Sequence, residues 1–178
     1  MVDEWRPGAR AALLWTPVSI VLAVIGLIVF GLPLGLRTGQ VSISAGAGDV
    51  LIVVVLVAAL VFVHEGIHAL AMAVFGARPE FGAVLIGKVM PAVYTTTPGH
   101  RFTRGQYLVV ALAPAAIVSG IGFAGVFTAV GAYLVLPLAT HLAGCTGDAV
   151  AALRVLRQPR GTMCEDLRDG IRFHRPVG

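Results

Sequence analysis

The chain has 178 residues, of which 57% are hydrophobic and 12% charged, and its mean hydropathy is +0.89. A soluble domain carries about 25% charged residues, so this composition excludes an ordinary soluble domain and points to an integral membrane protein. The net charge of +4 belongs to loops and tail, so nucleic-acid binding is not expected.

Residues 1–10 form a short polar head with Arg6 and Arg10. The apolar run 11–36 is long enough to cross a bilayer with tilt, and too long for the core of a cleaved signal peptide. A Gly/Ser linker follows, and Asp49 at its end can cap the next helix. A second span covers 50–77. Its small residues Gly66, Ala69, Ala71 and Ala73 permit close helix packing.

Residues 78–105 differ in kind. Ala83 to Ile86 and Val89 to Thr97 are rich in β-branched residues, with Gly87 and Lys88 as a turn between them. This reads as a short β-hairpin or re-entrant strand pair, equally as a loop, with Pro91 marking an edge strand. Its edge could take an extended peptide by strand addition, with Tyr94 and Thr95 to Thr97 contacting it. Residues 106–155 are mostly apolar and make two further spans joined near Val126 to Gly131, with Pro114 kinking the third. The tail 156–178 is basic, soluble and partly helical by this reading. Cys145 lies in an apolar run and Cys164 in the tail, so no disulfide framework is implied.

The expected fold is therefore an all-α integral membrane protein of about four transmembrane helices, with the strand segment between the second and third. Its organisation is a head (1–10), a membrane domain (11–155) and a tail (156–178). With four spans, 12 of the 13 basic residues fall on one side and Arg37 alone on the other. That places both termini in the cytoplasm.

The chemistry lies in the second span, where His64-Glu65-Gly66-Ile67-His68 reads His-Glu-x-x-His. On a helix the two histidines share a face and can bind one zinc ion, and Glu65 can serve as general base to a water on it. Ionisable groups at this depth are costly and mark a functional site. A catalytic zinc wants a third protein ligand. Asp148 is the only acid between Glu80 and Glu165, and it sits in membrane-grade sequence. From the inner ends of their spans, His68 is roughly 13 Å deep and Asp148 ~10 Å, so the two can meet. The metal ligands are thus expected to be His64, His68 and Asp148. His141 can act as an oxyanion donor, a fourth ligand or an interhelical hydrogen-bonding group. Cys145 reads as a buried thiol or a weaker metal ligand, and His100 and His174 as solvated surface residues.

With these residues the chain resembles the site-2 protease class of intramembrane metalloproteases, and is similar to a small prokaryotic family of membrane zincins. The resemblance covers about residues 50–155. It rests on the histidine motif, the β-rich stretch after it, Ala113-Pro114, and Gly144-Cys145-Thr146-Gly147-Asp148. It implies a catalytic core of three helices in the cell membrane, with zinc on His64, His68 and Asp148, cleaving peptide bonds of a membrane protein or peptide in or near the bilayer. It departs at Thr140, where the family carries an Asn thought to help hold the transition state; His141 follows it. No appended peptide-recognition domain is apparent. Two other classes compete: a non-catalytic zinc-binding membrane protein, or pseudoprotease, and an ion or proton transporter using the same groups as a relay. The transporter fits poorly, because 50–155 holds no second copy of the polar motif.

Overall fold

Long, mostly apolar runs make the helices, and shorter stretches near both ends of the chain and between the second and third long helices make the strands. The computed structural model describes residues 1–39, 46–86 and 90–176. In chain order the elements are β1 (Val2–Trp5), α1 (Ala9–Thr38), α2 (Ala47–Val74), β2 (Glu80–Ile86), β3 (Met90–Thr96), β4 (Arg101–Thr103), α3 (Arg104–Val126), α4 (Gly131–Gly144), α5 (Thr146–Leu156), β5 (Met163–Leu167) and β6 (Gly170–His174). Four stretches are long and apolar enough to cross a membrane: Leu13–Thr38, Ala47–Val74, Arg104–Val126 and Gly131–Leu156. The last is broken at Cys145 into α4 and α5.

The chain divides into two compact units, and α1, α2 and α3 each contribute to both. The first holds residues 1–16, 65–113 and 147–178. It contains a four-stranded antiparallel sheet in the order β1-β6-β5-β4 and a two-stranded sheet, β2-β3. The tail is thus a strand pair and not a helix. The residues of β6 alternate, with Ile171 and Phe173 buried, and a period of two cannot give a helix one apolar face. Arg168 and Asp169 make the loop between β5 and β6, a length that suits a tight hairpin. The head also becomes a strand, with Val2 opposite His174 and Trp5 opposite Ile171.

The expected β-hairpin is present. Glu80 pairs with Thr96 and Ile86 with Met90, and Gly82 lies opposite Tyr94, whose ring covers the space a Cβ would fill. The turn expected at Gly87 and Lys88 lies outside the described residues. The core of this unit joins Met72, Phe102, Tyr107, Val110, Val155 and Phe173.

The second unit holds residues 17–64 and 114–146. A Cβ at Gly26 would stand 2.7 Å from Ala139 Cα, so α1 and α4 touch backbone to backbone there, as small residues permit between membrane helices. Tyr133 donates to Asp49 at 2.8 Å, and the Asp49 carboxylate accepts the Gly46 amide at 2.8 Å, next to the start of α2. The expected turn after α3 is closed by hydrogen bonds from the Phe127 amide to the Ala124 carbonyl and from the Thr128 amide to the Gly125 carbonyl. Val21, Ile28, Leu51, Val55, Phe62 and Ile121 are exposed, the pattern of helices that are apolar all round.

Candidate metal centre

α2 carries His64, Glu65 and His68 in unbroken helix, so the two imidazoles stand about one turn apart on one side of it. In the first unit, His68 is buried. Its Nδ1 lies 2.9 Å from the Val110 carbonyl of α3. A carbonyl only accepts, so Nδ1 carries the proton and the lone pair is on Nε2. That nitrogen lies 3.4 Å from Asp148 Oδ1. Asp148 is in the first turn of α5, where helix amides favour negative charge. The break at Cys145 creates this helix start, so the Gly-Cys-Thr-Gly-Asp stretch delivers a carboxylate at a helix N-terminus.

Glu65 lines the same cavity of about 180 Å³ as His68, Tyr94, Asp148 and Asp166. The Thr95 hydroxyl is 2.8 Å from Glu65 Oε2 and 3.2 Å from the Glu65 carbonyl, so β3 holds the carboxylate in place. Thr95 was expected to touch substrate; here its hydroxyl contacts the expected general base. Tyr94 remains on the cavity wall.

In the second unit, His64 Nδ1 lies 3.1 Å from His141 Nε2, and the two rings meet edge-on. His141 is buried, and its i+4 neighbour Cys145 places Sγ 3.9 Å from His141 Nδ1 and 4.0 Å from His64 Nδ1. His64, His141 and Cys145 each offer a ligand atom within 4.8 Å of the others. Thr140 does not join this group. Its hydroxyl is bonded to the Leu136 carbonyl of its own helix at 2.9 Å.

Three features were not legible in the sequence. Tyr107 is buried on α3 and its hydroxyl donates to Asp166 Oδ1 at 2.7 Å, which brings a tail residue to the cavity wall. Burial pushes the Asp166 carboxyl up to about 7, although the Tyr107 hydrogen bond opposes the shift. His174, expected at the solvated surface, instead faces Glu165 Oε2 at 3.0 Å. Burial works against the Glu165 carboxylate, yet His174, the Gly99 amide and Arg172 hold it below the usual range. His100 packs its ring on Phe102. A short acidic stretch in a basic tail reads as solvated charge, and only the β5-β6 pairing reveals which acids turn inward.

His64, His68 and Asp148 offer imidazole nitrogens and a carboxylate, a set that zinc takes in proteins. His68 is in the tautomer a zinc ligand needs, with its second nitrogen tied to a carbonyl. The residues present therefore fit a zinc ion. Searches of curated proteins and of solved structures each found no match to the chain. A family model described as "Putative zincin peptidase" matches residues 57–163, more than half of the chain, and takes in the histidine motif, the hairpin, α3 and Asp148. The chain belongs to that zincin peptidase family.

Proposed function

We propose that the chain is an intramembrane zinc-dependent endopeptidase, of the site-2 protease kind, that hydrolyses peptide bonds of membrane proteins or peptides in or near the bilayer. The observation that carries this reading is His68, held at Nδ1 by Val110 so that Nε2 meets Asp148. His64, His68 and Asp148 would hold the metal, with His64 about one turn before His68 on α2. Bound zinc supplies a Lewis acid that polarises the scissile carbonyl and acidifies water to a pKa of about 7.

The chain's own residues do the rest. Glu65, oriented through Oε2 by Thr95, takes a proton from the attacking water and passes it to the leaving amine. Tyr94 lines the approach. Residues of α2, α3, α5 and β3 wall this cavity. The four apolar stretches support residence in a bilayer, and the distribution of basic residues supports cytoplasmic termini; the prokaryotic cell membrane rests on the resemblance alone.

A second reading has one specific observation behind it. Thr140 occupies the position of the family's transition-state Asn but bonds to its own helix, which would suit a zinc-binding pseudoprotease. Glu65→Gln separates the two. Membrane proteins that accumulate in cells carrying the variant, with zinc retained, are the expected outcome of the peptidase. An unchanged membrane proteome on loss of Glu65 would leave the non-catalytic reading.

A further inference from the structure

Cys145 has no part in the hydrolysis described above, yet its thiol is only 4% exposed and faces two imidazoles. His141 and Cys145 occupy one face at the end of α4, four residues apart. His64 Nδ1 is 3.1 Å from His141 Nε2 and 4.0 Å from Cys145 Sγ. Two nitrogens on one tetrahedral ion of zinc's size stand about 3.3 Å apart, and a nitrogen and a thiolate about 3.6 Å, with a larger ion such as Cd²⁺ spreading them by a few tenths more. The nitrogen pair is within a few tenths of an ångström of that spacing, the sulfur is within a few tenths of it relative to His64 Nδ1, and the three ligand atoms lie within 4.8 Å of one another. Two imidazoles and a thiolate form a soft donor set, which selects thiophilic ions over magnesium or calcium.

We propose that His64, His141 and Cys145 form a second metal site, for a soft ion of the Cd²⁺ or Cu⁺ class, and that filling it inhibits the peptidase. The inhibitory half rests on the zinc reading; the site itself does not. Proton bookkeeping makes the two ions compete. As a zinc ligand, His64 uses the lone pair of Nε2 and keeps its proton on Nδ1. An ion at Nδ1 releases the Cys145 thiol proton to solvent and moves the His64 proton from Nδ1 to Nε2. A neutral imidazole in that state has no lone pair left for zinc.

The test is a titration of the detergent-purified full chain with Cd²⁺, for the wild type and for Cys145→Ser. It follows thiolate-to-cadmium charge-transfer absorption and release of bound zinc. The wild type is expected to develop the band, saturate at about one ion per chain and lose its zinc. Cys145→Ser is expected to show no band, keep its zinc and bind Cd²⁺ at least tenfold more weakly. Cys164→Ser serves as control and should behave as wild type. Burial pushes the Cys164 thiol up to about 11, which disfavours its thiolate. A band that survives in Cys145→Ser, or no band in the wild type, overturns the site. A band with no zinc to release keeps the site and sinks the zinc reading instead. A band with zinc retained overturns the competition.

Discussion

His68 Nε2 stands 3.4 Å from Asp148 Oδ1. Two ligand atoms on one tetrahedral zinc, at bonds of about 2.0 to 2.1 Å, are about 3.3 Å apart. A direct N–H···O hydrogen bond has its optimum nearer 2.9 Å, so the spacing suits two ligands of one ion better than a hydrogen-bonded pair. The Val110 carbonyl fixes which nitrogen faces the carboxylate.

Glu65→Gln should lower turnover by about 10²- to 10⁴-fold, the contribution of a positioned general base, while zinc content stays at the wild-type level. Metal analysis beside a cleavage assay checks both halves. Loss of zinc together with activity would mean that Glu65 is structural.

Thr95→Val removes the hydroxyl that orients Glu65 Oε2 and nearly preserves side-chain volume. Turnover should fall about tenfold, or ~1.4 kcal/mol of barrier, with zinc affinity unchanged. A larger effect on KM than on kcat would instead assign Thr95 to substrate binding.

His141→Ala removes the partner of His64 Nδ1. Groups that orient a metal-ligating histidine are worth about 10- to 100-fold in metal affinity, so zinc binding should weaken by that factor. Competition against a chelator of known affinity measures it, and His141→Gln, which can still accept at this distance, should restore part of the loss. Thr140→Ala should leave zinc binding unchanged, since its hydroxyl is bonded within its own helix.

Asp166 offers a pH test. Its folded carboxyl is raised to about 7, whereas an unfolded one titrates near about 3.9. Between those values the folded chain binds the extra proton, so stability from this group falls as pH rises through that window and levels off above it. Metal-free Asp166→Asn, which keeps an acceptor for Tyr107, should lose this slope. Thermal unfolding in detergent at a series of pH values reads it directly. A slope identical in variant and wild type would place the titration elsewhere.

Much of the architecture was written in composition and period. Four mostly apolar runs became the four membrane-length helical stretches, and the β-branched stretch from Ala83 to Thr97 overlaps β2 and β3. His68 and Asp148 came together because depth in a membrane helix counts residues at a fixed rise. The tail could not be read in this way. Its strands also pair with Val2–Trp5, across nearly the whole chain, and with Arg101–Thr103, about 60 residues away, and such contacts leave no local signature. For the same reason Asp166 and Tyr107 were not recognised as a pair. The part of Thr95 was also hidden, since its hydroxyl reaches Glu65 only once the hairpin folds back beside α2.

The most direct test of the account is zinc content. Detergent-purified wild type should be compared with His68→Ala and Asp148→Ala after dialysis against stoichiometric zinc. About one zinc per chain in the wild type, lost or much weakened in both variants, is the predicted result. Wild type without zinc, or either variant binding it as tightly as wild type, would contradict a centre built on His68 and Asp148.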